Sequence, residues 1–495
     1  MNLFYQPLVT YLPLLVKVFT PTYMSALKVF AGLMIILSGI TMYQFVNQVT
    51  GKRTIAIFAA IIYMIAPYKL ANTYKRFAIG EFTALVFIPY VFMGMYNLFE
   101  QDKKKHYYIA IGAIGLMLTH TITTIYVAVF CIIYILFNLK KLKDKDILKK
   151  CAINIIFILL ISMLFWFPLL EATLQADYVI MDNQTMGTHS KFVSNNIINL
   201  SQLFRDKGEE NGTTFLIGIP TIIAILLTIF TIKKVDEKYK SFYLINIIFA
   251  LISLWLASRF FPWKIAPEIF CKIQYPWRTI GFFNFFISFV CGVNIYVILK
   301  EYIQKDTLRT VIILIFTIIS IASSLGIESQ FFTKNSEMDK IYEDYILKDR
   351  KISPAMINRD YMPLRALKLQ HTYVKNRDDN TCILEGKGNI IEENKENLND
   401  IIKIKDIEKD TILEFPYYYY PGYEIKIKIN GNEKQLKTVE SEHGYLSCSI
   451  EEDIDEAEIT VEYVGTKILY FSYTVSAISF IVFIIYVIYE NKIKK

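Results

Sequence analysis

Apolar runs long enough to cross a bilayer recur from Leu3 to Leu325 and return at Ile468, with Lys-rich connectors between them. Crossing the hydrocarbon takes about 20 mostly apolar residues in a helix. Segments 23–46, 152–170, 215–232, 277–299, 308–325 and 468–489 each read that way. The pattern predicts an all-α polytopic membrane protein of about 10–12 membrane segments with a C-terminal extracytoplasmic β-sandwich-like domain. Residues 1–326 would form the multi-span part, 327–467 the soluble domain, and 468–495 a final transmembrane helix with a short tail.

Charge divides the chain the same way. Residues 327–467 hold 29 acidic and 20 basic side chains against 17 and 33 in the rest, so a net charge of +7 conceals an acidic domain and a basic membrane body. Basic connectors orient membrane proteins by staying in the cytoplasm. No recognisable nucleic-acid module accompanies the basic excess, and no nucleic-acid partner is expected. Lys-rich stretches 51–53, 102–105, 140–150, 233–240, 300–309 and 491–495 are therefore predicted to be cytoplasmic, the C-terminal tail included. Loops 69–81, 171–213 and 259–275 and the domain at 327–467 then lie outside the cell membrane. The first apolar run lacks a basic leader and a small-residue cleavage site, so insertion is expected to use the spans themselves.

Two stretches do not read as simple spans. Residues 107–138 number 32, about 48 Å as one helix, yet both flanks are predicted cytoplasmic. The segment must turn back, and polar Thr119-His120-Thr121 supplies the apex. Backbone broken at that depth is tolerated where protein covers it or where it lines a wet cavity. Residues 3–19 are short and contain Pro7 and Pro13, so a re-entrant or interfacial segment fits as well as a span.

In the outer domain, Glu424-Ile425-Lys426-Ile427-Lys428-Ile429 alternates and runs into Asn430-Gly431, a dipeptide suited to φ > 0 in a tight hairpin; 435–439 resumes the pattern. Residues 445–450 and 457–464 predict two further strands, 337–348 a helical lead-in, and polar 378–410 mostly loop. Alternating faces of this kind bury themselves in a small sandwich. Cys382 and Cys448 would form one disulfide if the fold brought them together. The other four cysteines lie in or beside apolar segments without paired ligand spacing.

Ionisable groups where a chain meets the membrane are the first candidates for function. Gln274-Tyr275-Pro276-Trp277-Arg278 puts a proline at a helix start, an aromatic pair at headgroup depth and an arginine at the mouth of a span. A planar guanidinium matches two phosphate oxygens, although an arginine there also serves as a plain interfacial anchor. In 66–81, Lys75 and Arg76 are predicted to join Arg278 around one phosphate, with Glu81 holding an arginine or a substrate hydroxyl. A local Arg76–Glu81 ion pair that fixes the loop accounts for the same residues. Gln274 and His120 are candidate substrate contacts; His120 is equally explained as a histidine satisfied by Thr119 or Thr123. His189 and Asp182 lack the further ligands of a metal site. No metal ligands and no cofactor are called for, a divalent cation being left open. Tyrosines 417–420 either meet carbohydrate or pack the outer domain onto the membrane body.

Four motifs in order resemble those of bacterial integral membrane proteins called 6-pyruvoyl-tetrahydropterin synthase-related. They are Leu3-Phe4-Tyr5-Gln6-Pro7-Leu8; Ala66-Pro67-Tyr68 with Tyr74-Lys75-Arg76 and Gly80-Glu81; Gln274-Tyr275-Pro276-Trp277-Arg278; and Tyr419-Tyr420-Pro421-Gly422-Tyr423. Despite that label, these proteins are similar to the C-superfamily of membrane glycosyltransferases, which take a sugar from a polyprenyl-phosphate donor at the outer face. The resemblance covers nearly the whole chain; each motif is short and their combination is the specific part. It implies displacement at an anomeric carbon with a lipid phosphate leaving, a polyprenyl-phosphate-linked sugar as donor, a cell-envelope glycan as acceptor and membrane lipid around both. Arg278, Arg76 and Lys75 are then the groups that stabilise the phosphate as its charge grows.

The family pattern begins one helix and one acidic outer loop earlier, whereas Met1 stands two residues before Leu3 here. The resemblance therefore implies an N-terminally shortened chain without the usual catalytic base, and leaves open whether it is active. Glu81, Glu171, Asp177 and Asp182 are the remaining outer carboxylates from which a base would come. Two other classes stay open: a transporter or flippase of a lipid-linked or anionic glycan, and a non-catalytic envelope protein. The first predicts internal two-fold hydropathy symmetry, of which no clear repeat is visible. The second is favoured if the carboxylates stand far from the basic groups.

Overall fold

The computed structural model describes residues 4–101, 103–205, 214–329, 359–369, 372, 373, 377, 380–396 and 399–493. Among them six helices are long and apolar enough to cross a membrane: Tyr23–Thr50, Ile79–Glu100, Glu237–Ala257, Pro276–Tyr302, Thr307–Ser324 and Lys467–Lys492. Two bent pairs, Arg53–Met64 with Pro67–Lys75 and Lys145–Ile161 with Met163–Gln175, make eight if each is one span. Pro7–Lys17, Tyr108–Met117, Thr121–Phe137 and Ile219–Thr231 are shorter apolar helices.

Residues 152–170 do not form one straight helix, because the chain bends by 63° after Ile161. The last helix repairs the break. Ser476 accepts from the Leu164 N–H at 2.9 Å and donates to the Leu160 carbonyl at 3.1 Å, which keeps backbone polar groups satisfied in an apolar setting. Residues 107–138 break at the polar apex, the second helix starting at Thr121. Pro7–Lys17 has 11 residues, about 16 Å as a helix, too short to cross.

Pro276–Tyr302 is the hub, with every residue from 280 to 295 buried. Phe282, Phe285, Phe286 and Phe289 meet Phe45, Phe92, Phe130, Phe242 and Phe249 ring to ring. Contacts of this kind hold helices together where there is no water to exclude between them.

The Lys-rich connectors pair with one another. Lys103 meets Asp144, Lys141 meets Glu100 at 2.8 Å, and Tyr107 donates to Asn491 at the end of the last helix (2.9 Å). At that helix's start, Thr466 donates to Glu171 at 2.5 Å. Its 27 residues, about 40 Å of helix, therefore separate connector 103–107 from the domain before residue 467.

That domain holds β1 Cys382–Glu385, β2 Asn389–Glu396, β3 Asn399–Ile407, β4 Thr411–Tyr418, β5 Tyr423–Ile429, β6 Asn432–Leu436, β7 Val439–Glu440, β8 Tyr445–Ile450 and β9 Ile454–Tyr463. They form two antiparallel sheets, ordered β1-β4-β8-β7 and β2-β3-β9-β5-β6. Leu413, Phe415, Leu446, Cys448 and Ile450 of the first share a core with Ile402, Ile404, Ile425, Ile427, Ile459 and Val461 of the second. The Asn430-Gly431 hairpin forms as predicted, with φ of 50° and 81°.

Residues 378–410 are corrected from loop to strand: β1, β2 and β3 lie there. Charged outward residues such as Lys403 and Lys405 hid the inward alternation of Ile402, Ile404 and Ile407. The helical lead-in at 337–348 lies outside the described residues. Cys382 and Cys448 are both free. They sit on strands flanking β4, opposite Glu414 and Leu413 respectively, so their thiols project to opposite faces about 10 Å apart, out of disulfide reach.

Glu414 is fully buried in this domain. It accepts from Ser441 (2.5 Å), Tyr373 (2.7 Å) and Arg377 (3.0 Å) and meets His443 Nδ1 at 3.0 Å. Burial pushes its carboxyl up, but hydrogen bonds from Ser441, Tyr373, Arg377 and His443 prevail and hold it below the usual carboxylate range. Its contribution to stability is therefore full above about pH 4.3 and is lost as pH falls through the lower folded-state value. Thermal unfolding followed against pH should show that loss in the native chain. In Glu414→Gln the acid limb should flatten, with stability at pH 7 lower by about 3 kcal/mol.

Candidate functional site

Of the predicted outer loop 69–81, residues 69–75 and 79–81 are helical and only 76–78 are not. After a 48° bend the chain continues as Pro67–Leu70 and a π-helical turn, Ala71–Lys75, a wide turn often found at functional sites. Lys69, Asn72 and Thr73 are buried in it. The Lys69 ammonium rests on the Tyr63 ring at 4.2 Å and on the Ser38 hydroxyl.

Helical spacing puts Tyr68 and Asn72 a turn apart, and both donate to Glu81 Oε1, at 2.6 and 2.7 Å. Arg76, one turn further, bonds to Asn72 Oδ1 and reaches Glu81 Oε2 at 3.4 Å. Arg278 Nε stands 3.8 Å from that same oxygen. The predicted Arg76–Glu81 pair thus exists, and Arg278 converges on it.

The 274–278 motif supplies the platform. The Arg76 guanidinium lies over Trp277 at 4.5 Å and that of Arg278 over Tyr275 at 4.9 Å, cation–π contacts that hold both groups in place. Gln274, at φ 61°, is anchored to the Met186 carbonyl at 3.0 Å and accepts from Arg278 at 3.5 Å. Arg278 Nε is buried with no hydrogen-bond partner among the described residues. This arginine is no headgroup anchor: its side chain is 13% exposed.

His120 caps the Thr121–Phe137 helix through Nδ1, which accepts from the Thr123 N–H and meets the Thr123 hydroxyl at 2.7 Å. The local satisfaction predicted for it therefore holds. Its ring edge packs against Gly80, where an added Cβ would lie 2.9 Å from the Thr119 carbonyl and 3.0 Å from His120 Cδ2. Only glycine lets the apex approach Glu81 so closely. Tyr5, unassigned from the sequence, faces the Gly80 backbone and the charge of Arg278.

Lys75 is half-buried at the end of the π-turn. The other carboxylates have their own settings. Glu171 receives Thr466, and Asp177 lines a polar cavity with Glu440. Asp182 caps the Thr185 turn, whose hydrogen bonds hold it below the usual range. Among the described residues no group of three or more His, Cys, Asp or Glu gathers as a metal set. Glu81 itself is committed to Tyr68, Asn72 and two arginines.

A cavity of about 610 Å³ opens beside this cluster. Tyr5, Pro7, Leu8 and Tyr11 form one wall, Ile111, Ile114 and Leu118 another, and Leu469, Tyr473, Ala477, Phe480 and Phe483 of the last helix a third. Ile161, Leu164, Phe165 and Pro168, on either side of the bend after Ile161, line it as well. Leu469 to Phe483 spans about 21 Å along the helix, more than half the thickness of a bilayer core. Tyr5 belongs to both the cavity wall and the surroundings of Arg278.

The tyrosine run resolves in favour of packing. Tyr420 stacks on Tyr178 at 5.7 Å, lies near Phe4 and donates to the Tyr361 carbonyl at 2.9 Å. The same contacts place the β domain beside Phe4.

The family described as "6-pyruvoyl-tetrahydropterin synthase related domain; membrane protein" matches residues 3–330. An uncharacterized protein of Lactococcus lactis subsp. cremoris (strain MG1363) is similar at 27% identity over 277 residues, 53% of this chain and 44% of that protein. The match thus spans less than half of that relative's length. No solved structure matches.

Proposed function

We propose, from the premise that this chain belongs to the family of 6-pyruvoyl-tetrahydropterin synthase related membrane proteins, that it binds a polyprenyl-phosphate-linked sugar and passes the sugar to a cell-envelope acceptor on the outer face. The observation that carries this is Tyr5, which lines the apolar cavity and also stands in the field of Arg278, itself paired with Glu81 beside Arg76. An isoprenoid tail fills such a groove, while its phosphate meets two guanidiniums balanced by a single carboxylate, a positive centre. Arg278 Nε, 3.8 Å from Glu81 Oε2, donates no hydrogen bond among the described residues, and a phosphate oxygen would satisfy it.

In the transfer, an acceptor hydroxyl oxygen bonds to the anomeric carbon as the bond from that carbon to the phosphate oxygen breaks; the phosphate keeps the electron pair, and the hydroxyl proton passes to the departing phosphate. Arg278, Arg76 and the neighbouring Lys75 stabilise that growing charge in a dry site. Glu81 positions the arginines, and Gln274 and His120 border the phosphate. The Lys-rich connectors are cytoplasmic under the positive-inside rule, which puts the β domain and this cluster outside and the tail after residue 490 inside. Glu81 among the cations speaks against a non-catalytic envelope protein, for which the carboxylates would stand apart.

Native mass spectrometry of the purified protein offered polyprenyl phosphate, the parent polyprenol and a water-soluble short-chain alkyl phosphate tests the binding step. The polyprenyl phosphate should be retained most tightly, the polyprenol measurably but more weakly and the short-chain alkyl phosphate least; equal retention of the polyprenol and its phosphate would contradict the assignment.

A further inference from the structure

A second cavity lies where the membrane body meets the β domain. It has about 330 Å³, the size of a small-ligand pocket, and is lined by Thr173, Gln175, Asp177, Arg365, Lys368 and Glu440, with Leu174, Ala176 and Leu364 between them. Three distant pieces of chain build it: the end of Met163–Gln175, the short helix Leu364–Lys368, and β7.

These walls are tied together. The Val179 N–H donates to the Met362 carbonyl at 3.0 Å, and the Leu364 N–H to the Asp177 carbonyl at 2.8 Å. Tyr178 donates to the Tyr419 carbonyl at 3.2 Å. The turn before β8 presses on the short helix, so that a Cβ at Gly444 would stand 2.9 Å from the Ala366 nitrogen. The cavity is thus part of the fold.

Its chemistry is mixed and balanced. Asp177 and Glu440 offer acceptors, Arg365 and Lys368 donors, and Gln175 and Thr173 both. Burial raises the Glu440 carboxyl, with Arg365 lowering it and Asp177 raising it, as expected of two carboxylates facing one space with a cation between them. Arg365 Nε lies 4.0 Å from Glu440. Two negative and two positive side chains sum to no net charge, so either sign of ligand meets repulsion from half the lining. A neutral ligand dense in hydroxyls can donate to the carboxylates and accept from the cations at once. The carbonyls at the end of a helix, left without intrahelical partners, add acceptors.

We infer that this cavity is a binding site for a neutral sugar ring of a glycan, separate from the arginine cluster and independent of the lipid-phosphate reading. The test is an array of neutral and charged glycans probed with the full-length protein in detergent, beside Glu440→Gln, Arg365→Ala and Arg278→Ala. Arg365 is 58% exposed, so its substitution spares folding even if Glu440→Gln does not. Neutral glycans should bind the native chain, and the binding should weaken at least tenfold in both cavity variants and persist in Arg278→Ala. No neutral glycan bound, binding confined to charged glycans, or binding that survives both cavity substitutions would overturn the inference. Loss in Arg278→Ala alone would do the same, by moving the glycan to the arginine cluster.

Discussion

Arg278→Ala should weaken binding of polyprenyl phosphate about 100-fold, roughly 2.8 kcal/mol, while retention of the parent polyprenol stays as in the native chain. The guanidinium supplies the donor aimed at the phosphate; the groove that holds the tail lacks Arg278 among its walls. Sugar transfer should be abolished with membrane insertion intact. Arg278→Lys should recover part of the affinity, because an ammonium keeps the charge and loses the planar fork. Titration monitored by native mass spectrometry reads both variants beside the native chain, and loss of polyprenol binding together with phosphate binding would signal a structural collapse instead.

Glu81→Ala should be the more damaging substitution to the fold. It strands two guanidiniums, 17% and 13% exposed, beside each other with no counter-charge, and it orphans Tyr68 and Asn72 as donors. Breaking a buried ion pair from one side is worth about 3–5 kcal/mol, which should appear as a clear drop in thermal midpoint in detergent. Arg278→Ala removes one of the two cations and leaves Glu81 paired with Arg76, so its midpoint should move less. Equal midpoints for the two variants would mean that Glu81 does not organise the site.

Hydropathy made the membrane body legible, since an apolar run of span length has few alternatives in water. The hairpin at Asn430-Gly431 and strand β8 were equally plain, turn chemistry and alternation agreeing there. Bends were not. The break after Ile161 is marked locally only by Ser162, which bonds back to the Ile158 carbonyl, and by Pro168 in the next helix, while the group that satisfies it, Ser476, lies more than 300 residues away. Residues 66–81 misled for a related reason: charge suggested an exposed loop, while Tyr68, Asn72 and Arg76, spaced four apart, carried the helical period that brings all three to Glu81. Arg76 and Arg278 were visible as candidates from composition and position. Their gathering, with Glu81 holding an arginine, was legible too; that both guanidiniums reach the same Glu81 oxygen, and that Tyr5 links them to the groove, come from packing between segments far apart in sequence.

A structure of the native protein with polyprenyl phosphate bound, solved by electron cryomicroscopy in lipid nanodiscs, tests the central claim most directly. The phosphate should lie within about 3 Å of Arg278 Nε, with the isoprenoid chain running from Tyr5 along Tyr473, Ala477 and Phe480 toward Phe483. Density for the lipid elsewhere on the bundle, with this groove empty and the Arg76–Glu81–Arg278 cluster unchanged, would contradict it.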